Sequence, residues 1–138
     1  MSTMIFVNLP VRDLDRSLAF FKAMGYSHNP QFTDETAACL VISDTIFVML
    51  LTEPKFKEFT KKQPADTNTT TEVILAISAE SREQVDQLVD KAIAAGAGPA
   101  NDPMDLGMMY NRSFHDLDGH AWEFVWMDPA AVEAPPQG

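Results

Sequence analysis

The chain has 138 residues, of which 46% are hydrophobic and 22% are charged, a composition typical of one globular domain that needs no disulfides or structural metals. Its 20 Asp and Glu residues outnumber its 10 Lys and Arg residues, and this acidity argues against nucleic acids and anionic membranes, which bind basic patches. No apolar run is long enough to span a membrane, and the single Cys39 cannot form an internal disulfide, so we expect a cytoplasmic protein.

The first half of the chain predicts a strand, a helix and further strands. Residues 4–11 alternate as a strand does, and Pro10 belongs near the end of that strand or on a sheet edge. Asp13 is a suitable N-cap for a helix that Gly25 ends. The polar, Thr-rich segment 61–71 lacks periodicity and predicts a mobile linker. Extended segments are expected at 26–32, 37–42 and 45–52, and one or two helical turns at 53–60.

The second half repeats this order of elements. Residues 72–78 predict a strand, and Ser81 followed by Gln84 predicts a capping box at the start of a helix. Gly96 ends that helix, 71 positions after Gly25 ends the first one. The last two strands are expected at 108–115 and 120–127. Both halves therefore read strand, helix and then two or three strands, which indicates an internal duplication.

The last strand carries the most informative pattern in the sequence. Asp118-Gly119 is a strong signal for a tight turn, and the residues after it alternate in direction. Trp122, Phe124 and Trp126 share one face, which requires a covering layer that we expect helices to supply. Glu123 lies on the opposite face, where it is either a surface residue or a functional carboxylate in a cleft.

Two segments resemble signatures of the vicinal oxygen chelate superfamily, which includes glyoxalase I, extradiol dioxygenases, and fosfomycin and bleomycin resistance proteins. The first segment is 11–21 followed by Gly25, and the second is the turn 116–119 followed by a strand that carries Glu123. The resemblance covers about residues 4–127 and looks closest to small bacterial lactoylglutathione-lyase-like proteins.

The resemblance implies an α+β fold in which two βαβββ modules form one domain, with a curled mixed sheet that makes a U-shaped cleft. A homodimer commonly completes this cleft. The expected organisation of residues 1–138 is module one at about 4–60, the linker 61–71, module two at about 72–127 and a loose tail at 128–138.

The superfamily holds a divalent metal ion with side chains from four strands. The resemblance places those positions at Phe6, at about Leu50, at about Ile74 and at Glu123, and only Glu123 can bind a metal. A catalytic site needs about three protein ligands, so we expect no metal and no other cofactor. The alternative is a displaced divalent metal site that combines Glu123 with Glu72 or a histidine.

An apolar cleft beside one carboxylate remains, and Glu123 is its predicted catalytic residue, as a general base or as the anchor for a cation. The open alternatives are that Glu123 pairs with Arg112 on the adjacent strand or faces water. His115 and His120 flank the turn and are expected at the surface. The predicted ligand-binding residues are Phe6, Asn8, Leu50, Ile74, Tyr110, Arg112 and Glu123.

Three classes of function fit these observations. The one we favour is a homodimeric binding protein, similar to the bleomycin resistance branch, that holds a small, mostly apolar organic ligand without the usual metal. The second is a glyoxalase-like lyase or a dioxygenase with a displaced metal site, so the sequence leaves open whether the protein is an enzyme. The third is a scaffold or regulatory dimer that binds no ligand.

Overall fold

The computed structural model describes residues 2–131, which form an α+β architecture of two mixed sheets and confirm the predicted fold class. The first half contains β1 (Ile5–Val11), α1 (Leu14–Ala23), β2 (Ser27–Asn29), β3 (Ala37–Val41), β4 (Ile46–Thr52) and α2 (Glu53–Phe56). The second half contains β5 (Ile74–Ser78), α3 (Arg82–Ala94), β6 (Gly98–Pro99), β7 (Met104–Asp105), β8 (Met109–His115) and β9 (Ala121–Met127).

Two short 3₁₀ turns complete the described chain, at Pro30–Phe32 and Pro129–Ala131. The predicted loose tail begins at 128, and its part from 132 onward lies outside the described residues. No helix within residues 2–131 is both long enough and apolar enough to cross a membrane.

The two sheets share one topology. The first has the strand order β1-β4-β3-β2, and the second has the order β5-β9-β8-β6, with β7 also paired to β8. In each sheet the first strand runs parallel to the last long strand, while β3 with β4 and β8 with β9 are antiparallel. This common arrangement is what an internal duplication predicts.

The helix ends follow the signals in the sequence. The side chain of Asp13 accepts a hydrogen bond from the backbone N–H of Arg16 at 3.1 Å and so caps α1. Ser81 caps α3 in the same way through the N–H of Gln84 at 3.0 Å. In a capping box, the side chain of Gln84 would accept a hydrogen bond from the backbone N–H of the N-cap residue Ser81. Here it accepts instead from the N–H of Glu80, one residue earlier.

The helices cover one face of each sheet, and the large aromatic residues lie beneath them. Trp122 and Phe124 on β9 are fully buried, as predicted, together with Phe114 on β8. Phe21 of α1 packs on Trp122 with ring centroids 5.1 Å apart, which joins the first half of the chain to the second. Burying each such side chain contributes about 1.5–3 kcal/mol, so this aromatic cluster is the centre of a shared core.

The faces turned away from the helices carry exposed apolar side chains. We call Phe6, Phe47 and Met49 the first open face, and Ile74, Ala76, Ser113, Glu123 and Val125 the second open face. Phe6 is 49% exposed and stacks on Phe47, and Ile74 is 61% exposed. Exposed apolar groups on both sheets make these faces candidate interaction surfaces.

The turn before β9 connects the two halves of the chain. Its Asp118 accepts hydrogen bonds from the backbone N–H of Arg12 at 2.9 Å and from the hydroxyl of Ser17 at 3.0 Å. Asp116 organises the turn itself, because it accepts from the backbone N–H of Asp118 and from the indole N–H of Trp122, both at 2.9 Å. The two aspartates of this signature therefore have a structural role here.

Candidate ligand-binding site

A cavity of about 370 Å³ lies between β1, the linker and the start of β5, and we call it the linker cavity. Its volume falls within the range of about 300–1,000 Å³ that is usual for small-molecule sites. Most of the lining is apolar and includes Val7, Leu9, Pro10, Phe56, Pro64 and Val73. The polar lining residues are Asn8, Thr60, Gln63, Glu72 and His120.

The strand β1 forms one wall of the linker cavity because it is an edge strand of the first sheet. Pro10 lies near the end of β1, and an edge position suits it because proline has no N–H to donate to a neighbouring strand. The α2 helix contributes Phe56 to the cavity, and linker residues 63–65 close it on another side. The predicted edge position of Pro10 is thus confirmed.

His120 forms the polar end of the linker cavity and is only 1% exposed. Its Nε2 lies 2.7 Å from the carbonyl oxygen of Pro10, and its Nδ1 lies 2.5 Å from Oε1 of Glu72. A carbonyl oxygen only accepts, so the Nε2–H of His120 donates to Pro10. The Nδ1 then shares a second proton with Glu72, so the pair holds that proton either on the imidazole or on the carboxyl group.

The surroundings of His120 favour the imidazolium form. Burial lowers its pKa and is the largest single influence. The charge of Asp116, the bonds to Pro10 and Glu72 and the charge of Glu72 act the other way, and the net pKa lies above the ordinary value of 6.5. Burial also raises the pKa of Asp116, although the charge of His120 opposes this. Asp116, His120 and Glu72 therefore form a group of electrostatically interacting side chains, and Glu72 is its member at the cavity.

Of these three side chains, Glu72 is the one that a ligand can reach. Its side chain is 28% exposed, and only its Oε1 takes part in the bond to His120. Its other oxygen has no hydrogen-bond partner among residues 2–131, so it can accept a bond from a molecule in the cavity. The imidazolium behind it fixes the position of the carboxylate.

Of the predicted ligand-binding residues, only Asn8 lines the linker cavity. Phe6 and Ile74 lie on the two open faces. The prediction for Leu50 is wrong, because this side chain is 0% exposed and packs in the core beneath α1. The strand β4 is apolar on both faces, so its sequence did not indicate which face the helices cover.

Tyr110 and Arg112 both point toward α3, and their role in ligand binding stays a prediction. The hydroxyl of Tyr110 donates to Asp86 at 2.6 Å, and the guanidinium of Arg112 contacts Asp86 at 3.0 Å and Asp90 at 2.9 Å. Glu123 lies on the opposite face of the sheet, across from Ser113 and Ala76. An ion pair between Glu123 and Arg112 is therefore excluded, and a functional role of Glu123 stays a prediction.

Sequence reasoning missed His120 and placed it at the surface. The signal was present, because residue 120 has the same parity as Trp122 and Phe124, which were predicted to be buried. A histidine on the buried face needs partners for both ring nitrogens, and Pro10 and Glu72 supply them. No local signal identified these partners, because they lie 110 and 48 residues away in the chain.

The side chains at the superfamily's metal positions do not fit a metal ion. Phe6 and Ile74 offer no donor atom, and Leu50 is buried in the core, which leaves Glu123 alone. Within residues 2–131, no three His, Cys, Asp or Glu side chains lie together in a group that could hold a metal. Glu72 and His120 lie together, but His120 uses both ring nitrogens in hydrogen bonds to protein atoms.

Comparisons with known proteins agree with the fold. Residues 3–43 match the family model described as bleomycin resistance protein-like N-terminal. The structure of hypothetical protein SA1046 from S. aureus is 30% identical, with a TM-score of 0.76 over 91% of this chain and 95% of that one. A glyoxalase/bleomycin resistance protein/dioxygenase family enzyme from Burkholderia phytofirmans PsJN is 18% identical, with a TM-score of 0.74 over 91% and 99% of the two chains.

A lactoylglutathione lyase from Agrobacterium tumefaciens is 15% identical and superposes with a TM-score of 0.67 over 96% of this chain and 99% of that one. No curated protein matches the sequence. The fold is therefore that of the glyoxalase and bleomycin resistance proteins. Together with the family model matched by residues 3–43, this shared fold agrees with the resemblance to the vicinal oxygen chelate superfamily that the two signatures indicated.

Proposed function

We propose that the protein binds a small, mostly apolar organic ligand in the linker cavity and does so without the metal of its superfamily. The observation that carries this proposal is an apolar cavity of about 370 Å³ with the partly buried pair of Glu72 and His120 at one end. Ligand sites typically combine an apolar lining with a few polar groups that fix orientation, and Glu72, held in place by His120, is such a group.

We further propose that the protein is a cytoplasmic homodimer. The exposed apolar residues of the two open faces support this, because large exposed apolar patches mark interaction surfaces. A second copy of the chain is the partner that supplies matching apolar faces, and a two-fold arrangement buries the same surface on both copies.

A metal-dependent lyase or dioxygenase is the competing function. It needs about three protein ligands for one ion, and the superfamily positions of this chain supply one. Elemental analysis of protein purified without chelator separates the two functions. About one Ni, Zn, Mn or Fe ion bound per chain would overturn the metal-free proposal, and substoichiometric metal supports it.

The binding proposal is tested by a thermal-shift screen of small apolar compounds, because a ligand selective for the native state raises its stability. Ala65 lines the linker cavity, so Ala65→Phe fills part of it, whereas Ala94→Phe places the same ring at an exposed position on α3. We expect ligands to raise the Tm of the wild type and of Ala94→Phe, and to have little effect on Ala65→Phe. Equal shifts in both variants, or no ligand at all, would contradict the proposal.

A further inference from the structure

We infer that the ligand of the linker cavity is an amphipathic amine, whose protonated nitrogen donates to Glu72 while its apolar body fills the cavity. The inference rests on the proposed function, because it names the class of ligand for the same cavity. It follows from the charges that face the cavity and from the hydrogen bonds that those groups already make.

The free oxygen of Glu72 is the acceptor. The bond to His120 fixes Oε1 at 2.5 Å, and this leaves the other oxygen without a partner among residues 2–131. A hydrogen bond between an ammonium and a carboxylate is about twice as strong as a neutral one, and the apolar lining lowers the local dielectric further. An amine therefore gains more at this position than an alcohol of the same shape.

An anionic ligand finds no Lys or Arg partner in the linker cavity. None of the 12 lining residues is Lys or Arg, and both ring nitrogens of His120 are already engaged by protein oxygens. Arg12 and Lys57 are close in sequence to the lining, but they line a separate, polar cavity on the other side of linker residues 63–65. A carboxylate or phosphate in the linker cavity is repelled by Glu72 and meets only the neutral donors of Asn8, Thr60 and Gln63.

The charge of the whole chain acts in the same direction. The formal charge of −10 creates a negative potential that raises the local concentration of cations. His120 acts here as a positioning residue, because it holds the carboxylate of Glu72 at the cavity without touching the ligand itself. The carbonyl of Pro10 and the carboxylate of Asp116 in turn keep His120 in place and protonated.

The test uses three probes with a phenyl ring on a two-carbon chain: 2-phenylethylamine, 2-phenylethanol and 3-phenylpropionate. We expect calorimetric titration of the wild type at pH 7 to show the amine binding at least tenfold more tightly than the alcohol, with no binding of the acid. Glu72→Gln keeps the acceptor for His120 and removes the charge. It is expected to reduce the affinity for the amine to that for the alcohol.

Glu80→Gln is the matched control, because Glu80 is an exposed carboxylate that does not line the cavity. It removes one charge from the chain and is expected to leave the affinity for the amine unchanged. An equal loss in both variants would show that only the net charge matters and would overturn the role of Glu72.

The wild-type comparison stands without any variant, so a poorly folded Glu72→Gln protein does not block the test. Equal affinities for amine and alcohol, both lost in Ala65→Phe, would overturn the amine inference and leave the binding function intact. Tighter binding of 3-phenylpropionate than of the amine would also overturn it. If no compound of the apolar screen binds the protein, both the amine inference and the proposed function are contradicted.

Discussion

The hydroxyl of Ser17 on α1 donates to Oδ2 of Asp118 at 3.0 Å and so joins the first helix to the turn before β9. Both side chains are buried, and the backbone N–H of Arg12 donates to the other oxygen of Asp118 at 2.9 Å. The carboxylate thus receives a donor from the first half of the chain on each oxygen. Asp118 therefore joins the two halves of the chain, in addition to the aromatic core and the hydrogen bond between His120 and Pro10.

Removal of the Ser17 hydroxyl therefore destabilises the fold. Ser17→Ala leaves a buried carboxylate oxygen without its donor, and we expect the free energy of unfolding to fall by about 1.5–3 kcal/mol, the usual range for hydrogen bonds to charged groups. Urea denaturation measures this change. Ser27→Ala at an exposed position of β2 is the control, with an expected change within about 0.5 kcal/mol. Equal effects of the two substitutions would refute the role of Ser17.

Gly119 cannot carry a side chain, for two separate reasons. Its φ is +81°, and a Cβ atom there would lie 2.8 Å from Oγ1 and 2.9 Å from Cβ of Thr67 on the linker. Gly25 has a φ of +105° with nothing within 4 Å of a Cβ, so Gly25→Ala reports the backbone strain alone, about 1–2 kcal/mol. We expect Gly119→Ala to lower the free energy of unfolding by clearly more than Gly25→Ala. Equal losses in denaturation experiments would show that the linker does not pack on the turn.

The buried His120 makes the stability of the protein depend on pH. Its pKa in the folded protein lies above 6.5, because the charges of Asp116 and Glu72 and the bond to Pro10 outweigh its burial. A histidine with a raised folded pKa contributes stability that is complete below pH 6.5 and is lost as the pH rises through the folded pKa. We therefore expect the free energy of unfolding to decrease as the pH rises from about 6.5 through the folded pKa of His120.

His120→Gln tests this pH dependence. The variant cannot gain a proton, so its unfolding free energy is expected to be lower at pH 6 and to change less between pH 6 and pH 9 than that of the wild type. Asp116 also has a raised pKa. Its contribution to the free energy of unfolding declines at acidic pH, as the pH rises from 3.8 through its folded pKa. His115→Gln at a half-exposed position is the control. An unchanged slope in His120→Gln would contradict the assignment.

The proposed homodimer depends on the open faces. Phe6→Lys and Ile74→Lys each place a charge on one of these faces, and we expect both to give monomers, because burying an unpaired charge in an interface is costly. Phe59→Lys changes an equally apolar residue that is 70% exposed and lies outside both faces, and it is expected to remain dimeric. Sedimentation equilibrium gives the molecular mass of each variant. A monomeric wild type would remove the basis of the dimer proposal.

The local signals in the sequence predicted the elements well. The N-caps Asp13 and Ser81 lie where expected, and Gly25 and Gly96 follow the ends of their helices with positive φ. These features depend on interactions between residues close in sequence, so the sequence displays them directly. The burial of Trp122 and Phe124 followed from alternation along a single strand.

The site was less visible in the sequence, because it depends on contacts between distant residues. Tyr110 and Arg112 were predicted to bind a ligand, and in the structure they contact Asp86 and Asp90 on α3. Polar side chains on the helix-facing side of β8 thus have partners about 20 residues earlier in the chain, and alternation alone does not reveal that side. Glu72 and His120 are 48 residues apart, so their pairing is even less visible in the sequence.

The sequence predicts a ligand beside Glu123, whereas the cavity found in the structure lies beside Glu72. Glu123 lies on the second open face across from Ser113 and Ala76, whereas Glu72 lies in the wall of the linker cavity. We expect Glu123→Gln to leave the calorimetric affinity for 2-phenylethylamine within twofold of the wild type, while Glu72→Gln lowers it at least tenfold. The reverse result would place the ligand on the open face beside Glu123, where the superfamily resemblance had suggested it.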